Sequence, residues 1–203
     1  MNTSRLLLLS AFFAFILGLA GCLQQPAPAS ATQPASDLEL KPRKGYEEIV
    51  VGYAQIGYES EWRAANTISI KETADELGVE LLFSDAQQKQ DNQIEAVRKF
   101  IVQKVDIIGI SPIVETGWDE VFQEAKDAGI PIILVDRRAD VPEDMYVSYI
   151  GSDFVEEGRN AGRTMAKIVN NKANIVELVG TVGSAPATDR QKGFQEIIKD
   201  IPD

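Results

Sequence analysis

Residues 130–137, IPIILVDR, decide the fold. Ile130 to Val135 is an apolar run that stops at two opposite charges, Asp136 and Arg137. A short run without polar alternation reads as a parallel strand buried on both faces. Its last residues then emerge at the carboxyl edge of the sheet, where open α/β sheets take their ligands. A carboxylate beside a guanidinium presents acceptors and a rigid fork of donors to one small polar molecule. Taken alone, the pair reads equally well as a helix cap next to a surface arginine.

The surrounding chain repeats the same strand-then-helix unit. Upstream, EIVVGYAQIG ends near Gly57 and is followed by a helix from about Ser60 to Leu77, stopped by Gly78. The next strand, VELLFSDA, ends near Asp85. Its helix runs from about Lys89 to Gln103, with Ile94, Val97, Phe100, Ile101 and Val105 in one apolar stripe. DIIGISP is the third strand. The helix in GWDEVFQEAKDAG puts Val121, Phe122, Ala125 and Ala128 on one side and ends at Gly129. After the 130–137 strand, YVSYIGSD gives a short strand reaching about Asp153. Strict alternation implies right-handed crossovers and a doubly wound parallel α/β sheet. Beyond Asp153 the pattern restarts: a helix from about Val155 to Val169, the strand NIVELVG, a loop to Thr188 and a helix from about Asp189 to Lys199. One strand between two helices cannot bury a core of its own. The expected organisation is therefore a first lobe at 47–153 and the incomplete beginning of a second at 154–203, the front part of a longer two-lobed protein.

Residues 1–22 read as a leader. Arg5 is its one charge, Leu6 to Ala20 is apolar apart from Ser10, and Leu19-Ala20-Gly21-Cys22 closes it. The apolar part is shorter than the roughly 18 to 20 residues a membrane span needs, which fits a signal peptide. Its end resembles a bacterial lipobox, so Cys22, the sole cysteine, is expected to be lipidated and to anchor the exported protein to a membrane at the cell envelope. Residues 23–46, containing QQPAPASATQPAS, have too little bulky apolar surface to pack and read as a flexible tether. The formal net charge is −11 with no basic cluster, which argues against nucleic acid as a partner. With no histidine, and with the single thiol assigned to lipid, zinc and cysteine chemistry are poorly served, and neither a metal nor a cofactor is expected.

The carboxyl ends of the predicted strands collect Tyr58, Glu59, Ser60, Trp62 and Arg63, then Asp85, Gln87 and Gln88, then Ser111, and finally Asp136 and Arg137. Parallel strands all finish on one edge, so these side chains are expected to converge. Trp62 and Tyr58 offer flat apolar faces to the CH side of a sugar ring, while carboxylates, amides and arginines match its hydroxyls. Structural alternatives stand beside each: Trp62 as helix packing, Asp85 as a cap, Gln87 and Gln88 as ordinary loop residues.

Five blocks, GYESEWRAAN, DAQQKQDNQ, SPIVETGWDEV, ILVDR and ELVGTVGSAPATDRQKGF, resemble the solute-binding proteins of bacterial sugar ABC transporters, within them the galactofuranose-type group. The likeness covers about Glu48 to Asp203. It implies the type I periplasmic binding protein fold, two lobes closing on a monosaccharide, and delivery to a membrane permease. It implies ligand-binding roles for Glu59, Trp62, Arg63, Asp136 and Arg137 from the first lobe and Arg190 from the second, with Tyr58, Asp85 and Asp189 as weaker additions. Tyr58 and Glu61 depart from the group, which carries smaller residues there. The family's second lobe continues well past the point reached by Asp203, so weak sugar binding or none is expected of the 203-residue product.

The same residues bear on other functions. A glycosidase would use Glu59 and Asp136 as an acid and base pair, but each has an arginine close by in sequence, a poor setting for a proton donor. A sugar sensor serving a membrane receptor or kinase uses the same fold and is left open. A repressor is excluded by the leader and by the lack of a basic helix-turn-helix. Gly52 with Gly57, and Gly180 with Gly183, lack the lysine of a phosphate loop and are expected to mark tight turns.

Overall fold

The computed structural model describes residues 44–201; the leader, Cys22 and most of the tether lie outside the described residues. Five strands, β1 (Val50–Gln55), β2 (Glu80–Asp85), β3 (Ile107–Ile110), β4 (Ile132–Val135) and β5 (Ser148–Ile150), form one sheet. Their order is β2-β1-β3-β4-β5 and every pairing is parallel. The direction of travel across the sheet reverses between β1 and β3. This is the switch point at which a crevice opens outside the strand ends.

Helices α1 (Glu61–Leu77), α2 (Gln90–Gln103) and α3 (Asp119–Asp127) connect the strands. Successive residues of a strand face opposite ways, and β1 shows which helix lies on which side. A Cβ on Gly52 would fall 2.5 Å from the Phe100 ring of α2, so only glycine permits that helix to lie so close. Tyr53 points the other way and stacks on Phe83 at 6.1 Å, with Lys71 of α1 over the same ring at 4.2 Å. Helix α1 therefore covers one face, and α2 with α3 the other. The core on the second face joins Val97 and Phe100 to Ile108, Ile110, Ile132, Leu134, Trp118, Val121 and Phe122.

Punctuation matches the expected signals at several ends. Ser60 Oγ accepts from Arg63 N at 3.2 Å, capping α1, and Gly78 closes it in the left-handed conformation at φ +71°. Gly129, at φ +70°, follows α3. Three details differ from expectation. Gly52 marks close strand-helix packing rather than a turn. Gly180 has no special backbone conformation, whereas Gly57 and Gly183 do adopt positive φ. Ala128 is exposed just beyond α3.

The largest difference lies after α4 (Phe154–Ile168). NIVELVG reads as a strand, yet residues 172–180 join no ladder, and Val176 and Leu178 are 86% and 93% exposed. Alternating apolar residues favour an extended chain, but a strand exists only with a neighbour to take its hydrogen bonds, and none lies alongside among the described residues. Helix α5 (Ala185–Ile198) begins four residues earlier than expected. Ser184 is extended there, Pro186 sits in the first turn where no amide donor is needed, and Thr188 N already reaches Ser184 O at 3.0 Å.

Candidate functional site

The β1–α1 loop carries Glu59 and Ser60 to the carboxyl edge of the sheet, and the first turn of α1 adds Trp62 and Arg63. β3 delivers Ser111, and β4 delivers Asp136 and Arg137. The exit from β4 is tight. Asp136 has φ +64°, and Arg137 N bonds back to Val135 O at 2.7 Å, closing a three-residue turn. A non-glycine residue held in this conformation is strained, and such positions cluster at functional sites.

Arg63 is the centre of the arrangement and is 1% exposed. Its Nε donates to Glu59 Oε1 at 3.0 Å and its Nη2 to Asp136 Oδ2 at 2.6 Å. Its Nη1 reaches Asn66 Oδ1 and Ser111 Oγ, each at 3.4 Å. Arg137 is buried beside it, donating through Nη1 to Ile113 O at 3.1 Å and through Nη2 to Glu59 Oε1 at 3.4 Å. Burial first, and the neighbouring Arg63 charge second, pull the Arg137 guanidinium below its ordinary pKa, with Glu59 and Asp136 opposing that shift. Two buried polar atoms in the cluster have no hydrogen-bond partner: Glu59 Oε2, an acceptor, and Arg137 Nε, a donor whose nearest carboxylate oxygen, Asp136 Oδ2, is 4.0 Å away.

A cleft of about 320 Å³ opens over this cluster, lined by Glu59, Trp62, Arg63, Asp136, Arg137 and Arg190 among others. An adjoining cleft of about 390 Å³ shares Glu59, Ser60, Arg137, Pro186 and Arg190 and extends towards residues 177–181. Such volumes suit a small ligand. Trp62 is not packing inside a helix interface; it is 56% exposed, with the Arg63 guanidinium 4.9 Å from its ring centroid. Arg190 comes from α5 and is fixed by Glu157 Oε2 at 2.8 Å and by the Phe154 ring at 4.5 Å. It reaches the cleft because α4 and α5 touch backbone to backbone. A Cβ on Gly193 would lie 1.9 Å from Val155 O, and one on Gly158 would lie 2.1 Å from Arg190 O.

All six principal residues expected from the sequence thus line one cleft, whereas the weaker additions stand apart from it. Asp85 Oδ1 accepts from Gln87 N at 2.8 Å, the capping alternative rather than a cleft position. Gln87 and Gln88 are exposed turn residues with φ of 53° and 58°. Tyr58 is exposed and outside both clefts. Asp189 acts on Glu115 instead: burial chiefly raises the Glu115 pKa, a hydrogen bond with Thr188 lowers it, and the charges of Asp189 and Asp140 raise it again. The sequence did not single out Gln55, Asn66, Gln93, Phe154 or Glu157. Gln55 Nε2 bonds Asn66 Oδ1 at 2.9 Å and Thr67 Oγ1 at 3.0 Å, backing Arg63 from below. A glutamine interrupting the apolar run of β1 was the visible signal. Among the described residues no group of three or more His, Cys, Asp or Glu is placed to hold a metal ion.

Residues 51–203 match the periplasmic binding protein domain family. The chain belongs to that family. Among curated members, it is 49% identical over 156 residues to the galactofuranose-binding protein YtfQ of Escherichia coli (strain K12), covering 76% of this chain and 49% of that protein. The crystal structure of a galactofuranose binding protein superposes with a TM-score of 0.73 at 49% identity, covering 76% of this chain and 53% of the other. The periplasmic binding protein component of the arabinose ABC transporter from Shewanella sp. ANA-3, bound to α- and β-L-arabinofuranose, gives 0.72 at 47% identity, covering 75% and 51%. The chain spans about half the length of the curated periplasmic binding proteins it matches. Its sheet order and helix placement are those of this fold.

Proposed function

We propose that residues 47–153 form the first sugar-binding lobe of an ABC-transporter solute-binding protein, that residues 154–203 begin the second lobe, and that the ligand is a monosaccharide in furanose form. The carrying observation is the pair of buried atoms without a hydrogen bond, Glu59 Oε2 and Arg137 Nε, the latter 4.0 Å from Asp136 Oδ2, beside the arginine–carboxylate bonds of the same cluster. A buried polar atom left unpaired costs about 1–3 kcal/mol, and a sugar hydroxyl, which both donates and accepts, relieves both atoms. Charge balance supports a neutral ligand: Glu59, Asp136 and Glu157 offset Arg63, Arg137 and Arg190 around one cleft. The exposed Trp62 ring supplies the flat apolar face for the ring CH groups. Furanose ligands in two of the similar proteins favour that ring form.

The mechanism is reversible capture without chemistry. The first lobe holds its groups in place before the ligand arrives, Arg190 approaches from the other side, and closure excludes water from the polar contacts. A wrong sugar would leave buried groups unpaired, which makes hydroxyl readout selective. Lipidation at Cys22 and the tether at 23–46 would keep the loaded protein beside its permease at the cell envelope; Cys22→Ser should release it from the membrane fraction.

Fluorescence provides the binding test. The chain has two tryptophans, and Trp118 is fully buried in the core, so a ligand-linked change reports Trp62. Titration with methyl galactofuranoside and methyl arabinofuranoside should change emission, with pyranosides weaker and with little dependence on salt, as for a neutral ligand. Equal response to pyranosides, or steep weakening by salt, would contradict the furanose and neutral-ligand reading respectively.

A further inference from the structure

Gln93 lies in α2, lines neither cleft and is completely buried. Its Nε2 donates to Ser111 O at 2.8 Å and to Ala54 O at 3.3 Å, while its Oε1 accepts from Ile113 N at 3.0 Å. Ser111 O and Ile113 N lie just past the end of the β3 ladder, while Ala54 O, still within β1, also accepts from Ser111 N at 3.4 Å. β3 ends at Ile110, and Pro112, between Ser111 and Ile113, has no amide hydrogen. The same three residues carry two of the arginine contacts: Ser111 Oγ accepts from Arg63 Nη1, and Ile113 O accepts from Arg137 Nη1. Tyr53 OH, 3.1 Å from Ser111 Oγ, braces the hydroxyl from the opposite face.

We propose that Gln93 is the positioning residue of the cleft: its carboxamide sets the path of residues 111–113, and that path aims the guanidiniums of Arg137 and Arg63. This rests on the reading of the cleft as a sugar site for its consequence, but the positioning itself is independent of any sugar. One side chain thereby couples α2 and the ends of β1 and β3 to the ligand groups without touching ligand. A segment freed of these bonds would let Ile113 O turn away and release Arg137 from its fixed orientation.

The test compares Gln93→Met, which keeps the unbranched shape and removes the amide, with Val97→Ala, a cavity one turn along the same helix that removes no hydrogen bond to residues 111–113. The Nε–H resonances of Arg137 and Arg63 are recorded in the full chain without ligand, and furanoside affinity is then measured. The proposal expects the arginine resonances to shift or broaden in Gln93→Met and stay put in Val97→Ala, with affinity falling about tenfold only in the former. Unmoved arginine resonances in Gln93→Met, or the same displacement in both variants, would overturn it. Moved resonances in a protein whose unmodified form ignores furanosides would support the positioning role and refute the sugar reading. Should Gln93→Met not fold, Gln93→Asn, which withdraws the carboxamide by one methylene, is judged by the same resonances, and in the unmodified chain the Ile113 amide must exchange as slowly as those of β3.

Discussion

Arg63 sits almost without solvent between two carboxylates, and its removal should be felt in stability as well as binding. Glu59 and Asp136 are each largely buried, with side-chain exposures of 18% and 17%. Arg63→Met preserves the stem but leaves both charges short of a partner. Breaking a buried pair from one side costs about 3 kcal/mol, and urea unfolding of the variant should show that loss. Glu115 behaves oppositely. Its folded pKa is raised, chiefly by burial and further by Asp189 and Asp140, so its contribution is full below the ordinary carboxylate value and is lost as pH rises through the folded value. Glu115→Gln should therefore raise the thermal midpoint at pH 7, and the advantage should vanish by about pH 4; an unchanged difference across that range would exclude Glu115 as the source. At this scale the sequence showed which residue types stood at strand ends but not their bonding. Asp136 and Arg137 were legible because they terminate an apolar run. Gln93 was not, because its partners are main-chain groups two elements away, and Asp85 and Asp189, weaker additions on the sequence alone, turn to neighbours outside the cleft.

Elements explain which of these side chains meet. Parallel strands finishing on one edge bring Glu59, Ser111 and Asp136 together from three separate stretches of chain, and that convergence follows from topology alone. Alternating strand and helix signals, the Ser60 cap and Gly78 and Gly129 stops were all readable locally. The failures share a cause: they depend on what lies alongside. NIVELVG has strand character but no neighbouring ladder among the described residues, and Gly52 is explained by Phe100 rather than by its own backbone. The α4–α5 contact is a further case, since nothing in the sequence announces that Gly158 and Gly193 face another helix. Gly193→Ala must push the helices apart, because the added methyl would meet Val155 O. Overpacking of this kind costs about 1–3 kcal/mol, and the displacement should also weaken the Arg190–Glu157 pair. Denaturation of Gly193→Ala beside Gly180→Ala, where the added methyl meets nothing, separates the contact from a general effect of losing glycine.

For the whole molecule, one switch point in a β2-β1-β3-β4-β5 sheet positions a charge-balanced, partly unsatisfied cluster beneath an exposed indole, and a second helix pair brings Arg190 over it. The net charge of −11 does not make the cleft a charged site, because three carboxylates, Glu59, Asp136 and Glu157, face three arginines, Arg63, Arg137 and Arg190, in its lining. On the proposed reading, affinity then depends on hydroxyl geometry rather than on net charge. The most direct measurement is a furanoside titration of the full chain monitored at the arginine Nε–H and tryptophan indole resonances. The account predicts that Arg137, Arg63 and Trp62 move together along one saturable curve while Trp118 stays fixed. Signals of Arg137 and Trp62 that remain still, or respond at different sugar concentrations, would contradict it.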